Sequence, residues 1–334
     1  VFPRFFVALA MTADPCLSNP EPASCAVERA PFAPLLLQRS DGQVLVLDGK
    51  KTEIMAVLNL TPDSFSDGGK HTDPRAALRH AEQLVSDGAS LIDIGAESTR
   101  PGARLLSVEE EWLRLAPVVT ELDRLSLPAV LSIDTRHAEI ARRVLDHGVR
   151  VLHLAFPQQL FSPDLDDPAA AALEPHQRHA LLSGFDAVVV MHSRGTPDTM
   201  RELTDYFGDL CQTVESELSL TTRMLTDDCH SLSERIVYDP GLGFAKTAAQ
   251  SLSLLSQTAE LRRRLRRPVL IGASRKSMWG ALTGRPASDR LIPSVMGAAF
   301  ASSRGADIVR VHDVAETLQA LQTAQALSDG GLPT

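Results

Sequence analysis

From about residue 40 onward the chain alternates short apolar runs with longer amphipathic segments, and this rhythm limits the fold more than any other feature. The apolar runs cover residues 54–58, 91–94, 130–133, 151–154, 187–191, 236–238, 269–271 and 307–311. Runs this short are strand length rather than helix length, and near-continuous apolar strands belong to a parallel sheet covered on both faces. Segments of helical period lie between them, at 74–87, 108–125 and 138–146, with a last one at 314–324. Ser107 and Glu110 have capping-box spacing, and Gly88, Gly148 and Gly305 stand where a left-handed C-cap favours glycine. Strands each followed by room for a helix predict an α/β fold, the (β/α)8 TIM barrel. A doubly wound open sheet shares the same rhythm, because periodicity does not decide whether a sheet closes. Near the start, Val44-Leu-Val-Leu47 beside Asp48-Gly49 and a further apolar run predicts an N-terminal β-hairpin turning at Asp48-Gly49. Residues 1–34 read as a variable tail and 35–330 as one barrel domain.

Composition narrows the function. Aromatics are only 4% of the chain, so aliphatic side chains must fill the core, as barrel interiors require. The net charge of −9 excludes nucleic acid as the main partner, yet leaves room for a small anion held by a local basic cluster. Cys16, Cys25, Cys211 and Cys229 form no CxxC pair and no zinc-ligand spacing, which predicts isolated reduced thiols. No apolar run approaches the ~20 residues of a membrane span, and the patch at residues 5–10 is at the short limit for a secretory signal. A cytoplasmic location is the expectation.

Barrel enzymes carry their chemistry at the C-terminal ends of the strands, and here each end bears a group able to bond or charge a ligand. In order these are Asn59, the stretch Glu97-Ser-Thr-Arg100, Asp134, His153, Met191-His192, Asp239 with Lys246, Ser274-Arg-Lys276, and Arg310-Val-His312. Taken singly, an Asp after a strand is often only a helix N-cap, Asp-Pro-Gly is a turn, and Phe244 is a core residue. Their convergence in one register favours a site. Arg275, Lys276, Arg310, His312 and Arg100 together would form a cationic pocket suited to pyrophosphate. Asn59 beside them offers an amide oxygen to a hydrated Mg2+. The carboxylates of Asp134 and Asp239 suit a neutral heterocycle with paired N–H donors.

These residues resemble the dihydropteroate synthase family across roughly residues 52–328. The most specific stretches are Leu58-Asn-Leu-Thr-Pro-Asp-Ser-Phe-Ser-Asp-Gly-Gly69, Glu97-Ser-Thr-Arg-Pro-Gly102, Asp239-Pro-Gly-Leu-Gly-Phe244, Ser274-Arg-Lys-Ser277 and Arg310-Val-His-Asp313. The resemblance implies a transferase of folate biosynthesis, a sulfonamide target, that joins 6-hydroxymethyl-7,8-dihydropterin pyrophosphate to p-aminobenzoate. It implies that Asp134, His153, Asp239 and Lys276 hold the pterin, with Met191 and Phe244 lining its slot. Asn59, Arg310 and His312 would take the pyrophosphate with Mg2+ on Asn59, and Thr99, Arg100, Pro101, Ser274 and Arg275 the p-aminobenzoate. Pyrophosphate would leave first, so no protein nucleophile is needed; the groups acting on the reaction would be Asn59, Arg100, Lys276, Arg310 and His312. The resemblance also implies a homodimer formed by the late helices.

The chain departs from the family pattern at strand four, where the usual Asn-Asp pair is His153-Leu154. The second loop reads Gly95-Ala-Glu97 in place of Gly-Gly-Glu, and Ala245 replaces the glycine before Lys246. The strand-four change leaves two alternatives open, a divergent paralogue of different pterin-related activity and a pterin-dependent methyltransferase-type module. Retention of both Ser274-Arg-Lys276 and Arg310-Val-His312 speaks against the methyltransferase.

Overall fold

The computed structural model describes residues 32–61, 73–97, 105–160 and 173–331. Thr99, Arg100 and Pro101, Cys16 and Cys25, and most of the expected tail lie outside the described residues. The strands among them are β1 (Leu35–Gln38), β2 (Val44–Leu47), β3 (Glu53–Asn59), β4 (Leu91–Gly95) and β5 (Val130–Asp134). They continue with β6 (Val151–Leu154), β7 (Ala187–Met191), β8 (Ile236–Asp239), β9 (Leu270–Ile271) and β10 (Ile308–Val311). Strands β3 to β10 form one parallel sheet in the order β8-β7-β6-β5-β4-β3-β10-β9. A parallel bridge from Tyr238 to Val269, with the Tyr238 N–H donating to Pro268 O at 2.9 Å, brings the two ends of that order together. The sheet therefore rolls into a nearly closed (β/α)8 barrel, and the doubly wound alternative falls away.

The described helices follow the strands as a right-handed crossover pattern requires. They are α1 (Pro74–Ser86), α2 (Val108–Leu125), α3 (Ala138–Val144), α4 (Pro175–Ser183), α5 (Leu210–Thr226) and α6 (His230–Ser233). Then come α7 (Ala248–Ser256), α8 (Thr258–Leu265), α9 (Ser277–Thr283), α10 (Leu291–Ser303) and α11 (Val314–Asp329). The expected capping box opens α2: Glu110 N–H donates to Ser107 Oγ at 3.3 Å, and Ser107 N–H to Glu110 Oε2 at 3.0 Å. Gly88, Gly148 and Gly305 all take positive φ, as their position past helices predicts. The α3 pattern breaks earlier than expected, into a 3-10 turn at Leu145–His147, while α11 runs on to Asp329. Its extra turns are built from Ala, Gln and Leu, good helix formers with no apolar period to mark them.

The N-terminal hairpin exists, but its turn is not at Asp48-Gly49. β1 pairs antiparallel with β2, so the chain reverses at residues 39–43, where Gly42 has φ +82°. The apolar run after Asp48-Gly49 belongs instead to the barrel as β3. Gly49 still takes φ +77°, and a Cβ there would also meet the Arg262 guanidinium at 2.5 Å, so the position is closed to a larger residue on both counts.

Two large cores result. One lies between the barrel wall and the helices, and Leu154 belongs to it, 1% exposed. The other closes the lower mouth, where Leu35, Leu37 and Leu47 of the hairpin pack on Met55, Leu91, Val130, Val151, Val189, Val237, Leu270 and Ile308. Those barrel residues sit at or near the N-terminal ends of their strands, so the hairpin is a plug. The opposite mouth is left to the polar residues. Cys211 and Cys229 are free thiols, and no described helix is long and apolar enough to cross a membrane.

Candidate active site

Strand register sets the candidate residues level with one another. Asn59 of β3 lies opposite Gly95 of β4, Gly95 opposite Asp134 of β5, and Asp134 opposite His153 of β6. Met191 of β7 lies opposite Asp239 of β8. Gly272, after β9, faces the same space: a Cβ there would meet Asp239 Oδ2 at 3.7 Å and Arg310 Cβ at 4.0 Å.

The centre of this rim is a carboxylate the sequence reading passed over. Asp93 is fully buried on β4 and accepts from three groups. Arg310 Nε reaches Asp93 Oδ2 at 2.6 Å, His153 Nδ1 the same oxygen at 3.0 Å, and Ser132 Oγ donates to Oδ1 at 2.5 Å. Burial pushes an acid up, but the Arg310 and His153 charges and the hydrogen bonds win, and Asp93 is held below the usual carboxylate range. Its neighbour Asp134 also receives Arg310, at 3.1 Å from Nη2. There burial outweighs His153 and Arg310, so Asp134 is raised. Arg310, expected at the pyrophosphate, is thus paired with Asp134, expected at the pterin, and with Asp93.

His153 is oriented by that arrangement. A carboxylate only accepts, so the ring hydrogen facing Asp93 sits on Nδ1. Nε2 is buried with no hydrogen-bond partner, 4.0 Å from Asp239 Oδ2. Burial disfavours the imidazolium, yet Asp93 and Asp134 outweigh it and the pKa is raised. In the neutral ring Nε2 accepts; in the cation it donates. Asp239 is 4% exposed, and its Oδ1 accepts the Gly241 N–H at 2.7 Å.

Apolar walls flank the carboxylates. Met191 and Phe244 are buried with Phe156, Met200, Ala155 and Ala245 in a small cluster of their own. Phe156 and Phe244 meet edge to face at 6.3 Å, and the Lys276 ammonium stands 4.2 Å over the Phe244 ring. On the basic side, His312 N–H donates to Ser274 Oγ at 3.3 Å, and that hydroxyl lies 3.0 Å from His312 Nδ1. Burial, then Arg275 and Arg310, push the His312 pKa down to about 4, so it is a neutral hydrogen-bonding group near neutrality. Arg275 has φ +58° and turns its guanidinium onto Asp313 at 2.5 Å.

Behind the slot lies a second buried network. His192 is inside the barrel rim, 3% exposed, with Nε2 2.9 Å from Glu217 and Nδ1 accepting from Lys246 Nζ at 2.8 Å. Burial pushes His192 down to about 4 and Lys246 down to about 7. Neither departure from the glycine pattern disturbs this region equally. Ala96 does not need positive φ, whereas Ala245 adopts φ +49° while its carbonyl accepts from Tyr206 OH at 3.1 Å.

Asp93, Asp134 and His153 bring three ligand atoms within 4.8 Å, the spacing of a metal site. The Arg310 guanidinium already lies on both carboxylates, so a divalent cation there would displace or oppose it. Asn59, half-buried at the end of β3, offers one amide oxygen at the rim, the hard donor that Mg2+ prefers.

Comparison with known proteins agrees with this geometry. Residues 55–312 match the family model described as pterin binding enzyme. A dihydropteroate synthase of Synechocystis sp. is 39% identical over 290 residues, 86% of this chain and 93% of that protein. The Xanthomonas albilineans dihydropteroate synthase with 4-aminobenzoic acid superposes with TM-score 0.74 at 34% identity, covering 90% of this chain and 100% of that one. The Burkholderia cenocepacia dihydropteroate synthase complexed with 7,8-dihydropteroate gives TM-score 0.73 at 34% identity, covering 90% and 98%. The chain belongs to the dihydropteroate synthase family of pterin-binding enzymes.

Proposed function

We propose that this chain is a transferase that condenses 6-hydroxymethyl-7,8-dihydropterin pyrophosphate with p-aminobenzoate to give 7,8-dihydropteroate and pyrophosphate. The observation that carries the reading is the partition of the rim. Carboxylate acceptors (half-buried Asp134, buried Asp239) and the His153 Nε2 without a hydrogen-bond partner stand on one side, and Ser274, Arg275, Lys276 and His312 on the other. The acceptors suit the N–H and amine edge of a pterin, Met191 and Phe244 its faces, and Lys276 a ring oxygen or nitrogen. Breaking the methylene–oxygen bond sends an electron pair to the pyrophosphate. Arg310 and His312 stabilise the negative charge growing there. The aniline nitrogen then bonds to the methylene carbon and loses a proton. Thr99, Arg100, Pro101, Ser274 and Arg275 are assigned to p-aminobenzoate.

Asn59 would hold Mg2+, which keeps most of its ligands as water and phosphate oxygens and would neutralise the leaving group. A homodimer is part of the proposal. Ile292, Met296 and Phe300 recur every four residues along α10 and are solvent-facing, at 76, 61 and 37% exposure. A cytoplasmic location accompanies these substrates.

His153-Leu154 favours a second reading, a paralogue that has kept the pocket for another pterin-related ligand. The test is to incubate the protein with the pterin pyrophosphate, p-aminobenzoate and Mg2+, and to measure pyrophosphate and dihydropteroate, alongside His153→Asn. Product from the unaltered chain supports the synthase with His153 as a tolerated substitution. Activity only in His153→Asn locates the divergence at strand four, and silence from both folded proteins sinks the synthase.

A further inference from the structure

On the outer side of the barrel a cavity of about 560 Å³ opens between α5 and α8 over the back of β8. Three arginines line it: Arg223 from α5, and Arg266 and Arg267 from the turn after α8. None of the three is paired with a carboxylate among the described residues. The adjoining arginines are all matched, Arg262 with Asp307, and Arg263 and Arg264 with Glu260. Among the described residues, Arg223 and Arg266 make no side-chain hydrogen bond or ion pair. Arg267 bonds only to backbone carbonyls, Nε to Ser233 O at 3.2 Å and Nη1 to Arg266 O at 3.4 Å. One carboxylate, Glu215, shares the cavity and accepts from Ser219 Oγ at 3.1 Å, so two positive charges are left over.

The floor is polar where the barrel wall should be apolar. Tyr238 is 6% exposed and its phenol lies within the influence of Arg267 and the Thr222 hydroxyl. Thr222, 5% exposed, completes no hydrogen bond of normal geometry through Oγ1. The Thr222 hydroxyl and the Tyr238 phenol thus stand side by side at the base of the groove, two groups able to donate to an anion's oxygens. Guanidinium groups and hydroxyl donors lining one groove match the oxygens of a phosphate, and a neutral or cationic guest would leave the excess charge uncompensated.

We propose that this groove binds a small phosphorylated metabolite of mononucleotide size, its phosphate clamped by Arg223, Arg266 and Arg267 over Tyr238 and Thr222. The site is distinct from the rim. Tyr238 faces outward into the groove, while the next residue, Asp239, faces the barrel interior, since successive strand side chains alternate.

The test is calorimetric titration of the full chain with adenosine monophosphate and with inorganic phosphate, repeated at raised salt. Arg223→Ser with Arg266→Ser alters only exposed side chains, and an unchanged melting temperature verifies its fold. Saturable single-site binding that weakens tenfold or more in that double variant, weakens with salt, and survives His312→Ala supports the groove. Tyr238→Phe should weaken it by a smaller factor. Binding unaffected by the double variant, binding lost in His312→Ala, or no heat from either probe at millimolar concentration overturns the proposal.

Discussion

Asp93→Asn is the perturbation on which the reading of the rim stands or falls. The wild-type carboxylate accepts from Arg310 at 2.6 Å, His153 at 3.0 Å and Ser132 at 2.5 Å with no exposure to water. An asparagine keeps the shape and can turn its NH2 to the Ser132 hydroxyl, but it removes the buried charge facing Arg310 and His153 and leaves Arg310 with Asp134 as its carboxylate partner. Breaking a buried pair by removing one partner costs about 3–5 kcal/mol. At roughly 2 °C per kcal/mol for a large domain, the melting temperature should fall by about 6–10 °C. The loss should also depend on pH. His153 has a raised pKa in the folded state, so its contribution is fully present below the unfolded value of about 6.5 and is lost as pH rises through the folded one. Removing Asp93 removes the main interaction raising it. Urea titrations at pH 5.5 and pH 8.5 should therefore show the larger deficit at the lower pH, and the His153 ring should titrate lower by NMR. A loss under about 1 kcal/mol, equal at both pH values, would refute the claim that Asp93 anchors the cations of this rim.

Three further outcomes are expected. Ala245→Gly relieves φ +49° and should stabilise by about 0.5–1 kcal/mol in denaturant titration, the left-handed penalty less the added chain entropy. Lys246 is depressed to about 7, so the unfolded chain binds more protons between pH 7 and about 10.5; stability referable to it should rise with pH across that window, and Lys246→Met should flatten the rise. Leu37→Ala, at 1% exposure in the hairpin plug, should cost about 2–5 kcal/mol in urea unfolding, while leaving activity intact well below the melting temperature.

Much of this was legible because β/α rhythm and strand-end chemistry are local properties. The barrel strands fell within a residue or so of their expected positions, and the capping box of α2 formed as spaced. Asp93 was missed because it sits inside an apolar run, Leu91-Ile-Asp-Ile94, where the one charged residue was the available signal. Its three partners come from β5, β6 and β10, a convergence that only barrel closure produces. The hairpin turn was misplaced because Asp48-Gly49 has turn chemistry, yet Asp41-Gly42 has it too, and tertiary packing of β3 decided between them. Arg310 was read as part of a cationic pocket; its ion pairs with Asp93 and Asp134 span 217 and 176 residues, beyond any local pattern.

The hairpin plug has a consequence for synthesis. Its buried leucines are made before residue 48, but the barrel residues that cover them extend to Ile308. At about 5–20 residues per second, a ribosome takes roughly 15–50 s to supply the last of them. Gln38 waits likewise for the Asp186 carboxylate its N–H donates to at 2.8 Å. The surface that seals the finished barrel is thus the apolar patch left longest without its full cover on the nascent chain, the one a chaperone would meet first.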